Sequence, residues 1–275
     1  MRERYRNGLA VIDASLDVFR ARPRLAVLPL LSLATVGTAY AAVGLAFLHY
    51  GLLEAVLENE FVKYGALFAA LAISSGVGVF FNAAVVHCAT RQFDGEETSV
   101  RDGLAAAWDA RREIAKWGLV SATIGTALYI AEDNVPGVGS LIQSILNLGW
   151  SLLTFFVVPV IVTDRTGSLR SEIRKSGDAF ARTCGESITA AFGIGLALLP
   201  VTLTGICMLA VAYVSATGLT AYALGALGGV LVVATLVVTQ VLGMIVRAAL
   251  YRYATDGERV GPLAELDPDG IFVDN

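Results

Sequence analysis

Apolar residues in this chain run in blocks far longer than the core of a globular helix requires, and polar residues collect between the blocks instead of alternating with them. Charge-free runs extend from Leu25 to Leu53, Tyr64 to Thr90, Trp117 to Ala131, Asn134 to Thr163 and Ser187 to Val246. Roughly 20 apolar residues cross about 30 Å of hydrocarbon as an α-helix, so each run predicts a membrane span. The last run, 60 residues long, predicts two spans divided near Ala216, Thr217 and Gly218, where small residues let the chain turn. The Trp117 to Ala131 run reaches only about 22 Å. A third span that begins near Glu113 crosses fully, with Arg112 and Lys116 snorkelling to the head groups; a re-entrant segment is the alternative. The predicted architecture is all-α, a polytopic bundle of six transmembrane helices at about 25–48, 64–90, 113–132, 139–163, 188–215 and 219–246. These form one integral membrane domain, 1–253, followed by a flexible acidic tail, 254–275.

Between the spans the period changes. Tyr5, Leu9, Ile12, Leu16 and Phe19 follow one helical face, and so do Val100, Leu104, Ala107 and Trp108, and Leu169, Ile173, Phe180 and Cys184. Charged residues occupy the opposite side of each. This predicts three amphipathic helices on the cytoplasmic side, lying along the membrane surface. The organisation is threefold: an amphipathic segment, an ascending span and a descending span, repeated. Ser15, Asp17 and Phe19 recur in order as Ser176, Asp178 and Phe180, with Trp108 in the equivalent aromatic place. Such repeats occur in transporters and serve equally to build any helical bundle.

Charge then orients the chain. With 56% apolar and 16% charged residues and a mean hydropathy of +0.67, an ordinary globular domain is excluded. Of 20 Lys and Arg residues, 19 fall on one side of the six-span topology and only Lys63 on the other. Because cytoplasmic loops keep basic residues, both termini are placed in the cytoplasm of a multi-pass cell-membrane protein. Acidic residues number 19 inside and five outside, so the inner side is neutral and the outer side carries the formal charge of −4. Arg outnumbers Lys 17 to 3, and the acidic, Lys-poor exterior resembles proteins of salt-loving archaea. The Arg-rich start precedes a long span with no cleavage motif, so the first helix is expected to stay as an anchor. Cys88, Cys184 and Cys207 have no paired spacing and imply no disulfide framework.

Candidate chemistry is sparse. No Asp, Glu, Lys or Arg sits in any span core, which removes an intramembrane carboxylate pair, a carboxylate proton relay and an HExxH metal site. Ser75 and His87 lie about 18 Å apart along one helix and cannot share a proton. His87 and Cys88, with Cys184, are the only candidates for soft metal ligation, and neighbours on a helix diverge by about 100°, so they chelate poorly. Gly76 and Gly78, Gly137 and Gly139, and Gly193 and Gly195 lack a dinucleotide-loop context; with the Gly225 to Gly229 GxxxG they are expected to serve packing and turns. No enzyme activity, cofactor, metal or nucleic-acid partner is indicated. The uncharged amides Asn82, Gln143, Asn147 and Gln240 are expected to face the bundle interior, because an amide facing lipid lacks partners. There they either bond between helices or line a substrate path. Pro29 and Pro159 fall near cytoplasmic helix ends, and Pro200, beside Thr202 and Thr204, falls mid-span at the depth where transporters break helices. Arg20, Arg22 and Arg24 are candidate contacts for anionic lipid. The leading reading is a non-enzymatic membrane component that interacts with lipid or serves as an accessory subunit. A small-molecule transporter or channel is the alternative and an intramembrane enzyme the second. Membrane lipids, another membrane protein or a second copy are the expected partners.

Phe81-Asn82-Ala83-Ala84, Ser99 to Trp108 ahead of Ala115-Lys116-Trp117, Gly149-Trp150-Ser151 followed by Phe155 to Pro159, and Arg182 to Glu186 together resemble an uncharacterised family of archaeal and bacterial multi-pass membrane proteins. The likeness runs from about Gly8 to Arg252, strongest in the run from Phe156 to Val160. The chain is also distantly similar to the membrane domain of some glycerophosphodiester phosphodiesterases. The resemblance implies a helical membrane bundle and no particular activity.

Overall fold

A computed structural model describes residues 15–134, 139–164, 168–215 and 218–257, apart from the side chains of 134–143, 184–192 and 215. Tyr5, Leu9 and Ile12 of the first amphipathic segment, and the acidic tail past Gly257, lie outside the described residues. Every regular element described is helical. After a helix at 15–21 and a 3-10 turn at Pro23–Ala26 come α1 (Val27–His49), α2 (Leu52–Glu58), α3 (Glu60–Phe93), α4 (Val100–Asp109) and α5 (Arg111–Asn134). They are followed by α6 (Gly139–Leu153), α7 (Val157–Thr163), α8 (Leu169–Arg182), α9 (Cys184–Ser215) and α10 (Leu219–Asp256). Six stretches among the described residues are long and apolar enough to cross a membrane: Pro23–His49, Glu60–Phe93, Arg111–Asp133, Ser144–Thr163, Gly193–Val214 and Leu219–Asp256. The third begins early, as its short charge-free run requires. α10 continues past Val246 to Asp256 and stops where Gly257 takes a left-handed φ of 71°, the conformation that ends helices at glycine.

The chain divides into two compact units. The first holds the described residues up to Pro29 and from Thr183 onward, and its centre is the α9–α10 hairpin. Between apolar helices in lipid, association rests on van der Waals packing, so small residues mark the crossing. A Cβ on Gly228 would lie 2.7 Å from Gly205 O and 3.0 Å from Leu209 N, and one on Gly225 would meet Ala212 Cβ at 3.5 Å. Gly229 faces open space, so the packed pair is Gly225 and Gly228, not Gly225 and Gly229. α9 runs unbroken through Pro200. Thr202 Oγ1 and Thr204 Oγ1 donate to the carbonyls of Leu198 and Pro200 at 3.0 and 2.8 Å, one turn back along the same helix.

The second unit, Leu30 to Arg182, is organised on α3. Asn59 caps it by accepting the N–H groups of Phe61 and Val62 at 2.9 and 3.3 Å, which satisfies donors a helix start leaves open. α5 lies against α3 where glycines meet: a Cβ on Gly118 would lie 3.1 Å from Gly76 Cα. Tyr40 fastens α1 to α3 through its hydroxyl, which donates to Ala70 O at 3.0 Å and pairs with Ser74 Oγ. At the end of α3 farthest from Arg91, Lys63 Nζ and Tyr64 Oη each donate to Asp133 Oδ2 at 2.9 Å. The one basic residue predicted outside is therefore a tie between α3 and α5.

The fourth span is two helices. Pro159 sits in the first turn of α7, and a proline ring collides with the carbonyl four residues back in a continuous helix. The chain tightens just before it: Phe155 N donates to Leu152 O at 3.3 Å and Val157 N to Thr154 O at 3.1 Å, both three residues back. Leu152 O, the regular acceptor for Phe156, is thus taken by its neighbour. The freed Phe156 N–H donates instead to Ser176 Oγ at 3.0 Å, and both residues are fully buried.

Candidate functional site

Chemistry gathers in the second unit at the end that carries its basic residues, where α4 and α8 pack against the spans. α4 starts at Ser99 because its side chain and that of Asp102 cap each other. Ser99 N donates to Asp102 Oδ2 at 2.9 Å and Asp102 N to Ser99 Oγ at 3.3 Å, a capping box that closes two open donors. The Ser99 N–H and hydroxyl, aided by the charges of His87 and Arg101, hold the Asp102 carboxyl below its ordinary range. Cys88 Sγ donates to Ser99 O at 3.5 Å and joins this cap to α3. Gly103 makes the contact possible: a Cβ there would stand 2.7 Å from Cys88 Sγ and 2.8 Å from Ala84 O. Gly103, Ala107 and Ala110 are the buried residues of this segment. Trp108, expected on that face, is 62% exposed, and the Arg111 guanidinium lies over its ring, 5.4 Å from the centroid, while Arg111 Nη1 donates to Trp108 O at 2.9 Å.

α8 packs on α5, α6 and α7. Its buried residues are Glu172, Ser176, Ala179 and Phe180, a face rotated from the predicted Leu169, Ile173, Phe180 and Cys184; the Cys184 side chain lies outside the described residues. Phe180 meets Phe155 edge to face at 5.6 Å, and Phe155 meets Phe156 at 4.8 Å, so aromatic rings surround the break that Ser176 seals. Lys175 Nζ donates to Asp164 Oδ2 at 2.6 Å and holds α8 to the end of α7. Glu172 is 2% exposed. Burial first, then the like charge of Glu113, push its carboxyl above the ordinary range, against the pull of Lys116.

The candidate residues fare differently. Arg20 is exposed and bonds to Asp17 at 3.1 Å, Arg22 is half-buried, and Arg24 is exposed. Asn82 on α3 and Gln240 on α10 are half-buried, each in its own unit. The side chain of Gln143 lies outside the described residues. Asn147 is exposed, and one turn on Trp150 stacks on Trp117 with centroids 5.5 Å apart and planes 8° apart. The repeat is partly visible. Ser15 and Ser176 are both buried, and Asp17 and Asp178 are both exposed and paired to arginine, whereas Trp108 departs from Phe180. Glu172, Ser176, Gly103 and the Lys63–Asp133 tie escaped sequence reasoning. Pro159, five residues past a polar-to-apolar junction at Thr154, was the available signal for the break.

Among the described residues, no three His, Cys, Asp or Glu side chains gather where they could hold a metal ion. Two packed helices at the basic end, six apolar spans and all-helical structure define the class: a multi-pass helical membrane protein. Within that class the chain belongs to DUF6159, a family of unknown function, whose match covers residues 61–261. That range contains α4, α8 and the broken span. No curated protein and no solved structure matches the chain.

Proposed function

We propose that the protein is a non-enzymatic membrane component that engages anionic lipid head groups through the end of α4 and through Arg20, Arg22 and Arg24. The observation that carries this reading is Trp108, an exposed ring on a short helix with the Arg111 guanidinium above it. Tryptophan favours the head-group level because its ring is apolar and its N–H is polar, and Arg112 and Lys116, exposed on the next turns, extend the positive charge. Each basic group near the surface contributes about 1 kcal/mol toward an anionic leaflet, about fivefold in affinity. On this reading the basic end is cytoplasmic and both termini lie there.

Purified protein in nanodiscs, titrated with phosphatidylglycerol against phosphatidylcholine, tests it by native mass spectrometry. The wild type should retain the anionic lipid, and the Trp108→Ala, Arg111→Gln, Arg112→Gln variant should lose about tenfold or more of that preference. An unchanged preference contradicts the reading. Transport of a small molecule is the second reading, supported by the discontinuous fourth span, since transporters place binding sites at broken helices. Here Ser176 and three phenylalanine rings occupy the break, which favours the first reading.

A further inference from the structure

α8 buries a carboxylate on the same face with which it seals the broken span. Glu172, Ser176, Ala179 and Phe180 are its buried residues, and residues three and four apart share one helical face. Glu172 therefore lies one turn from Ser176, whose hydroxyl accepts the Phe156 N–H. Only 2% of Glu172 is exposed, and among the described residues neither a hydrogen bond nor an ion pair reaches its carboxylate. An ionised carboxylate is costly to bury without partners, whereas the neutral acid is tolerated.

The charges around it do not offset that cost. α8 packs on α5, α6 and α7. From α5 come Glu113, which repels a second negative charge, and Lys116, which attracts it; burial and Glu113 prevail, and the carboxyl is raised above its ordinary range. α6 has no charged residue from Gly139 to Leu153, and α7 has none from Val157 to Thr163. Asp164, just past α7, is held by Lys175 at 2.6 Å. On α8 itself Arg170, Arg174, Lys175 and Asp178 are exposed, and Arg174 pairs with Asp178.

We infer that α8 is a proton-controlled latch on the fourth span: it is docked while Glu172 is neutral, and loss of that proton releases its first two turns and opens the break at Phe156. Release starts at the Glu172 end, because Phe180 at the other end is held edge to face by Phe155 at 5.6 Å. The docked state binds the proton more tightly than the released state, in which water surrounds the carboxylate. Docking therefore weakens as pH rises between the released and docked values, and is at full strength below both. The latch acts on the break and not on Trp108 or Arg111, so it stands apart from lipid binding at α4.

Hydrogen exchange of the full chain in lipid nanodiscs, with each rate divided by the intrinsic rate at that pH, tests the latch. Protection of the Glu172 to Ser176 amides should fall as pH rises, with a slope approaching about tenfold per pH unit, the limit for one proton. The Phe156 amide should lose protection in step. Glu172→Gln should abolish the slope and leave both segments protected. Glu113→Gln removes the repulsion and should shrink the fall; Lys116→Gln removes the attraction and should enlarge it. Protection independent of pH in the wild type, a fall that persists in Glu172→Gln, the same response to Glu113→Gln and Lys116→Gln, or a Phe156 amide indifferent to the release overturns the inference.

Discussion

The hydroxyl of Ser176 accepts the N–H of Phe156 at 3.0 Å, across two residues with no exposed surface. The bond makes an amphipathic helix part of a transmembrane helix. Pro159 forces the fourth span to tighten, tightening orphans one donor, and α8 supplies the acceptor. Ser176→Ala leaves that donor buried without a partner, at a cost of about 1–3 kcal/mol. Thermal unfolding in mild detergent should show the loss, and Ser151→Ala, at an exposed position within α6, should not.

Gly103 is a second joint of the same kind. Gly103→Ala would place a methyl within 2.8 Å of the Ala84 carbonyl, and backbone cannot step aside as a side chain can. The expected destabilisation is about 1–3 kcal/mol. Cys88→Ala should not rescue it, because the carbonyl remains. Gly149→Ala, where a Cβ meets nothing within 4 Å, is the matched control in the same unfolding assay.

Glu172 should make stability depend on pH. Its carboxyl is raised in the fold by burial and by Glu113, so between the unfolded and folded values the folded state binds more protons, and stability falls as pH rises through that window. The penalty is absent below the ordinary carboxylate range and complete above the raised value. Glu172→Gln should therefore raise the melting temperature at pH 8 and change it little at pH 4. Asp102 has the opposite sign: its lowered carboxyl stabilises above the ordinary range and loses that contribution as pH falls through the folded value.

Lys63 and Asp133 are half-exposed or nearly so, at 34% and 41%, and water screens such pairs. A double-mutant cycle of Lys63→Met and Asp133→Asn should give a coupling below about 1 kcal/mol. A larger coupling would mean that the pair lies within hydrocarbon.

Span number and the early start of the third helix were legible because hydrocarbon thickness fixes length, and length is written directly in charge-free runs. Faces were less legible. A single span is apolar all round, so which of its residues pack, Trp150 on α6 or Gly225 and Gly228 on α10, depends on which neighbour arrives. On α8 the small polar Ser176 and the charged Glu172 looked like the solvent side. Ser176 is buried because the break at Thr154 to Phe156 needed a donor's partner there, a demand set by Pro159 from 17 residues away in sequence. Pro200 lies inside α9, which continues on both sides of it.

The central claim is a multi-pass bundle whose basic end, with α4 and α8, lies on one side of the membrane and whose Lys63 end lies on the other. Single cysteines at Glu58 and Glu96, in a chain with its three native cysteines replaced, report this directly through a membrane-impermeant maleimide applied to sealed, oriented vesicles. The account predicts that the two positions label from opposite sides, Glu58 from outside and Glu96 from within. Labelling of both from the same side would contradict it.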